Sequence, residues 1–423
     1  MICRFFLNRN IHDAFFNAIG IKKIESLLFF LLLFTIPTQL GKHYWLTSLL
    51  VVGRNIDYLS PTIYLTDVVW FFWSAFFVYI NHKLIFQSIV NNKIKTITIF
   101  LTGIVLILIA KNQITAFFYT LRILEIIVFG WFVVLKKPVK QNLIYPLAIG
   151  VGASVFLENA QFFLQSSIGG WLYYLGERSI NLNTPAIAHL VVNGKLFLRP
   201  YAFFPHPNVL AGYLLVLWPM WYFWQINSGS KTQYLLRQIL LIFSLLGIFL
   251  TFSRVAWLGS ILMLVFVSKK NIKEMKLFLL ILTALILEEI FIGRFVNIYQ
   301  DVQPVAQRNQ LITNALDIFS QSPIIGVGLG NFLLQLPREQ KPPYLFQPAH
   351  NFWLMVLTET GILGFLFVLI FFVKTLQKTL NDKKYYLFVS LLLFLWLSWF
   401  DHYFYDIKQT QWILGLLISL VWI

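Results

Sequence analysis

A single cysteine, Cys3, serves all 423 residues, so no disulfide within the chain can brace its loops, whatever the redox state around them. Charge is also scarce. Asp, Glu, Lys and Arg make up 12% of the sequence, against roughly a quarter in soluble domains. Acids are the scarcer kind, 17 against 33 basic residues. The chain has no HExxH and no DxD, which argues against a zinc hydrolase and against metal chemistry built on paired carboxylates. Internal repeats, low-complexity tracts and soluble-domain linkers are missing too, so the chain, 1–423, reads as one unit.

Apolar residues are what the chain has in excess. They make up 58% of it, aromatics 18%, and the mean hydropathy is +0.73. The expected fold is an all-α polytopic membrane protein. Apolar runs of the length that spans a hydrocarbon core of about 30 Å begin near Ile24, Ile63, Thr96, Ile114, Leu143, Phe204, Leu235, Val255, Lys276, Asn351, Tyr385 and Gln411. About twelve spans are therefore expected. Basic loops resist translocation, and 20 of the 33 basic residues fall in the alternate loops that are cytoplasmic if the N-terminus is. Both termini are then expected inside. The net charge of +16 is a topology signal on this reading, and no nucleic-acid partner is expected. No small-residue cleavage site follows Leu33, so the first apolar run is expected to stay as a helix.

Two outward segments are long, 167–201 and 294–349, the second lying just before the tenth span. Within it, Leu311, Ile312, Ala315, Leu316 and Phe319 recur at helical spacing, which predicts an amphipathic helix with Arg308 near its start. Gly326, Gly328 and Gly330 follow in a turn whose amides can approach an anion. Other polar residues fall at helix mouths on the same side. RPYAFFPHPN brings Arg199 and His206 to a helix start with Asn208 as the expected N-cap. TFSRVAWLG places Arg254 between two spans, and DHYFYD carries Asp401, His402 and Asp406. Each arginine alone reads as a snorkelling residue at the interface. Together with His350 they suit an anionic substrate, because guanidinium forks match phosphate oxygens and a histidine can move a proton near neutral pH.

PAHNFWLMVLTETGILGFL, residues 348–366, then carries a specific pattern: His350, Asn351, nine residues, Gly361, two residues, Gly364. In this, in the SR step at Arg254, and in PIIGVGLGNF with Arg308 upstream, the chain resembles the O-antigen ligase and polymerase family of bacterial envelope glycosyltransferases. The resemblance implies transfer of a glycan from a polyprenyl-diphosphate carrier to an acceptor hydroxyl at the outer face of the cytoplasmic membrane, with no cofactor and no metal. The acceptor is a glycan, a glycolipid or a protein. Carried over, His350 activates the acceptor hydroxyl and Arg254 and Arg308 bind the diphosphate. Arg199, Asn351, Asp401 and His206 complete the expected substrate contacts, with membrane lipids around residues 350–423 and the rest.

Glu359, Glu158, Asn159, Gln161, Arg122 with Glu125, and Glu288 with Glu289 lie inside apolar runs. Intramembrane polar groups are functional candidates by default, but helix-to-helix pairing explains these more simply. Thr358, Gly361 and Gly364 are expected to form a small-residue stripe against a neighbouring helix. The rival reading is a transporter or flippase of lipid-linked glycans, which puts its polar groups at the midplane. Here they crowd the outer mouths.

Overall fold

The computed structural model describes residues 20–192, 194–224, 230–268, 302–337 and 346–423. The described residues are mostly helical. The main helices are α1 (Gly20–Phe34), α2 (Leu65–Asn91), α3 (Lys93–Leu108), α4 (Gln113–Lys136), α5 (Lys140–Leu164), α6 (Pro207–Tyr222), α7 (Lys231–Leu250), α8 (Arg254–Ser268), α9 (Val302–Gln321), α10 (Phe352–Asn381), α11 (Tyr385–Ser398) and α12 (Lys408–Val421). Eleven of the twelve expected spans fall on one of these; the run from Lys276, with Glu288 and Glu289, lies outside the described residues, as does Cys3. Five of the helices, α2, α4, α5, α7 and α10, are long and apolar enough to cross a membrane on their own. Two antiparallel hairpins interrupt the expected all-helical pattern: Gly41–His43 with Thr62–Tyr64, and His189–Val192 with Lys195–Leu198.

α6 is the axis of the bundle. Every residue from Val209 to Tyr222 is buried, and the helix packs against α7 and α11. A helix apolar all round belongs in the middle of such an assembly. A second, smaller core joins Leu49, Val51 and Leu59 of the α1–α2 connection to Leu311, Ala315 and Ile318 of α9 and to Met355 of α10. The face that α9 buries is therefore Leu311, Asn314, Ala315 and Ile318, while Ile312 and Leu316 are exposed. This corrects the expected apolar face by about one residue in each turn, since both sides of α9 carry apolar residues and only packing decides between them.

α10 is broken. Gly361 sits at φ 64°, ψ −170°, a setting open to glycine and strained for any L side chain. The break frees the carbonyls of Thr358 and Glu359, and these accept the N–H groups of Val327 at 3.1 Å and Gly328 at 2.9 Å. In return, Ile362 N–H donates to the carbonyl of Pro323 at 2.9 Å. Irregular backbone in an apolar surrounding persists only where protein satisfies it, and here the glycine turn does so. A Cβ on Gly361 would lie 2.3 Å from the carbonyl oxygen of Ile324. The expected helix-packing stripe is thus a docking point for a turn, with Gly364 facing the Thr360 side chain.

Candidate active site

His350 stands at the entrance to α10, where Asn351 is the N-cap: its Oδ1 accepts Leu354 N–H at 2.8 Å. Asn351 Nδ2 donates to the carbonyl of Trp399 at 3.0 Å, which ties this entrance to the end of α11. That tie brings Asp401 to His350, with Oδ1 3.2 Å from Nδ1. The same oxygen accepts the N–H of His402 at 2.9 Å, and Oδ2 accepts Asn208 Nδ2 at 3.2 Å. Asn208 Oδ1 in turn accepts Arg199 Nη2 at 2.7 Å, and Arg199 Nε donates to the carbonyl of Thr251 at 2.8 Å. Thr251 caps α7, so the guanidinium also meets the negative end of that helix. Arg254 opens α8 three residues later.

The N-cap of α6 is His206, whose Nδ1 accepts Asn208 N–H at 3.1 Å, with Pro207 in the first turn. This corrects the expectation for Asn208: freed from capping, its amide bridges Arg199 and Asp401. His402 is held from its other side, Nδ1 lying 2.9 Å from the carboxylate of Asp406. Its ring centroid is 5.1 Å from that of His350. Arg308 is exposed on α9, close enough for its charge to act on His350, Asp401 and His402. One end of the bundle therefore gathers His350, Asp401, Arg199, His206 and Arg308, together with Asn208 and His402.

The two neighbouring histidines are driven apart. Burial lowers the pKa of His350, with His402 and Arg308 adding to it and outweighing the Asp401 hydrogen bond. Burial acts the same way on His402, but the charge and hydrogen bond of Asp406, with Asp401, prevail and raise it. Burial alone would raise Asp401; its hydrogen bond from His350 and the charges of His350, His402 and Arg308 hold it well below the usual carboxylate range. Burial, then Arg199, pushes His206 down to about 3. At neutral pH the set is an ionised Asp401, a neutral His350 and a neutral His206, with His402 the histidine that favours its proton. An ionised carboxylate only accepts hydrogen bonds, so Nδ1 of His350 carries the proton and Nε2 is the free lone pair.

His350, Asp401 and His402 bring three ligand atoms within 4.8 Å of one another, and among the described residues they are the trio that can hold a cation. Both oxygens of Asp401 are already engaged, by three hydrogen bonds in all.

Glu359 closes the structure beneath the site. Its carboxylate accepts Phe332 N–H at 3.0 Å and Gly330 N–H, together with the hydroxyl of Tyr405. The glycine turn does hold a carboxyl group, one supplied by α10 itself. The turn that follows α9, the His350 half of α10 and the Asp401 connection are thereby locked together. Glu359→Gln keeps the shape but puts an NH2 where a carboxyl oxygen accepts, so one buried N–H or hydroxyl loses its partner. The expected cost is about 1–3 kcal/mol, read as a lower melting temperature of the purified protein in detergent.

Other intramembrane groups pair differently from expectation. Glu125 bonds Lys408 rather than Arg122, and Arg122 donates to the carbonyl of Asp406 at 3.2 Å. Gln161 donates to Glu177 at 2.9 Å and accepts the N–H groups of Tyr201 and Ala202, and Asn159 turns back on its own helix. Asn208, Asp406 and Tyr405 had no site role in the sequence reading. The HPN step and the DHYFYD run were the only signals for them.

Apolar spanning helices with polar chemistry gathered at one end define a multi-pass membrane protein. Residues 239–369 match the family model described as O-antigen ligase, which bears out the resemblance found in the sequence and supports glycan transfer of the O-antigen ligase kind in general. No curated protein matches the chain. The matched segment contains Arg254, Arg308, His350, Asn351 and Gly361, whereas Arg199, His206, Asn208, Asp401 and His402 come from outside it.

Proposed function

We propose that the protein transfers a glycan from a polyprenyl-diphosphate carrier to an acceptor hydroxyl at the outer face of the cytoplasmic membrane, without a metal. The observation that carries this reading is the neutral His350 bonded to an ionised Asp401, at the head of a helix within the O-antigen ligase match. Nε2 of His350 takes the proton from the acceptor hydroxyl as its oxygen bonds the anomeric carbon of the donor sugar. The bond from that carbon to the diphosphate breaks, and the electron pair leaves with the diphosphate. Arg254 and Arg308 stabilise the charge that develops there, as fixed cations do in a water-poor site. Arg199 acts one step back, holding Asp401 through Asn208, and Asn351 aims His350 by capping α10. The neutral His206, and His402 held by Asp406, frame the site from either side.

Arg254→Lys keeps a positive charge but loses the planar fork that meets two phosphate oxygens at once. Turnover should fall by about tenfold or more, measured with purified protein and lipid-linked glycan. EDTA should leave the parent rate unchanged; loss in EDTA and recovery with magnesium or manganese would show that a cation does the work assigned to the arginines. The orientation has its own test. In a Cys3→Ser background, Ser322→Cys should react with an impermeant thiol reagent added outside intact cells and Lys378→Cys should not. Equal reaction at both positions contradicts the orientation.

A further inference from the structure

The trio at the head of α10 has the make-up of a cation site. Nδ1 of His350 lies 3.2 Å from Oδ1 of Asp401, Nε2 of His402 lies 3.8 Å from the same oxygen, and the three atoms lie within 4.8 Å of one another. Ligands around a tetrahedral zinc ion, with bonds of about 2.0–2.1 Å, stand about 3.3 Å apart. Tilts of the two histidine rings close the set.

The partners behind these atoms are those a zinc site uses. The carboxylate of Asp406 is 2.9 Å from Nδ1 of His402, so that nitrogen keeps its proton, and Nε2, on the Asp401 side, is the one an ion can take. Metal-binding histidines are commonly braced by a carboxylate in this way. Asp401 is braced as well, by the N–H of His402 at 2.9 Å on Oδ1 and by Asn208 Nδ2 at 3.2 Å on Oδ2. Both bonds can stay, because an ion on Oδ1 takes only the place of the His350 proton. Asp401 and Asp406 also bring two negative charges to the spot. Three arginines stand nearby, each offset: Arg308 acts from an exposed position on α9 where water screens it, Arg199 is held behind Asn208, and Arg122, on the carbonyl of Asp406, faces Asp67 and Glu125.

We infer that His350, Asp401 and His402 form a zinc site, and that zinc bound there switches glycan transfer off. The site stands on the geometry alone; the inhibition rests on the glycan-transfer reading above. On binding, zinc takes Nδ1 of His350, and the proton displaced from Nδ1 is held at Nε2 instead, so the ring stays neutral. A proton leaving Nε2 of His402 goes to water. Nε2 of His350 is then a donor with no lone pair for the acceptor hydroxyl, and the base is lost while the fold is kept. Magnesium and calcium collect about six or more oxygen ligands, so they should not act here.

The test uses the untagged full-length protein in phospholipid nanodiscs, stripped with EDTA and then desalted. Equilibrium dialysis against zinc chloride should load a single tight zinc ion per chain, and cobalt in its place should give the visible absorption of a tetrahedral site. An outer partner of a metal ligand is worth about 10–100-fold in affinity. Asp406→Asn should weaken zinc binding by about that factor, and His402→Phe, which keeps a ring and loses both nitrogens, by more than about a hundredfold. Saturating zinc should cut the parent's transfer rate by about a hundredfold; EDTA should restore it and magnesium should not mimic it. Each variant is compared with itself, with and without zinc, and the zinc concentration that halves the rate should rise in step with the weakened binding. Absence of tight zinc in the parent, or binding of equal strength in both variants, would overturn the site. Zinc held by the trio with transfer undiminished, or increased, would overturn the inhibition. Binding needs no transfer, so the two readings fail separately: zinc that depends on His402, in a protein that makes no product when zinc-free, rejects the glycosyltransferase and leaves the site in place.

Discussion

His350→Ala is expected to slow glycan transfer by about two to four orders of magnitude, the share a positioned general base contributes, while the protein still inserts and still binds its carrier lipid. The side chain is 20% exposed and bonded to Asp401 alone among the described side chains. Removing it takes one of three hydrogen bonds from the buried Asp401, at a cost of about 1 kcal/mol in stability. Rate and stability therefore separate. The parent enzyme carries the matching signature in its pH profile. The pKa of His350 is lowered from 6.5, so Nε2 stays unprotonated as pH falls past the ordinary histidine range, and activity is lost only below it. An acid limb centred above 6.5, or a His350→Ala variant within about threefold of the parent, would remove His350 from this role and leave His402 with Asp406 as the next pair to test.

Asp401→Asn is expected to cost about two orders of magnitude or more in kcat with a smaller change in donor KM. An asparagine at 401 can present its NH2 to Nδ1 of His350, which stabilises the tautomer with the proton on Nε2, the atom that has to receive it. The substitution also weakens the Asn208 and Arg199 contacts behind the carboxylate. Asp401 raises the pKa of His350 by hydrogen bond and charge, so the residual activity should have its acid limb at lower pH than the parent. A purely structural role would lower yield and melting temperature without moving that limb. An unmoved limb with a small rate loss would show that Asp401 does not orient the base.

The helices and the entrance of α10 were legible in the sequence, for physical reasons. A buried or lipid-facing helix needs a continuous apolar run, and the runs from Ile24 to Gln411 each fall on a helix wherever the structure is described. The pairing of His350 with Asn351, followed by two glycines, fixed a helix mouth, and Asn351 does cap it. What the sequence hid was anything made by contact between distant segments. Asp401 lies 51 residues from His350 and meets it only because Asn351 reaches the carbonyl at the end of α11. Gly361 reads as a packing glycine until its φ of 64° shows that the helix breaks there. Glu359 reads as a helix-to-helix partner until the amides of the glycine turn are found on it. Arg122 and Glu125, three apart on one helix, suggest a pair; Lys408 bonds the acid from another helix, and Arg122 donates to the backbone of Asp406 instead.

The central claim is that the site makes and breaks glycosidic bonds. The direct measurement is reconstitution of the purified protein with a polyprenyl-diphosphate-linked glycan and a hydroxyl-bearing acceptor in EDTA, followed by mass analysis of every product. The account predicts an acceptor heavier by one glycan together with an equal amount of free polyprenyl diphosphate, formed by the parent and lost with His350→Ala. Intact donor recovered from the opposite leaflet, with no acceptor product in parent or variant, would contradict it and make the protein a carrier of lipid-linked glycans.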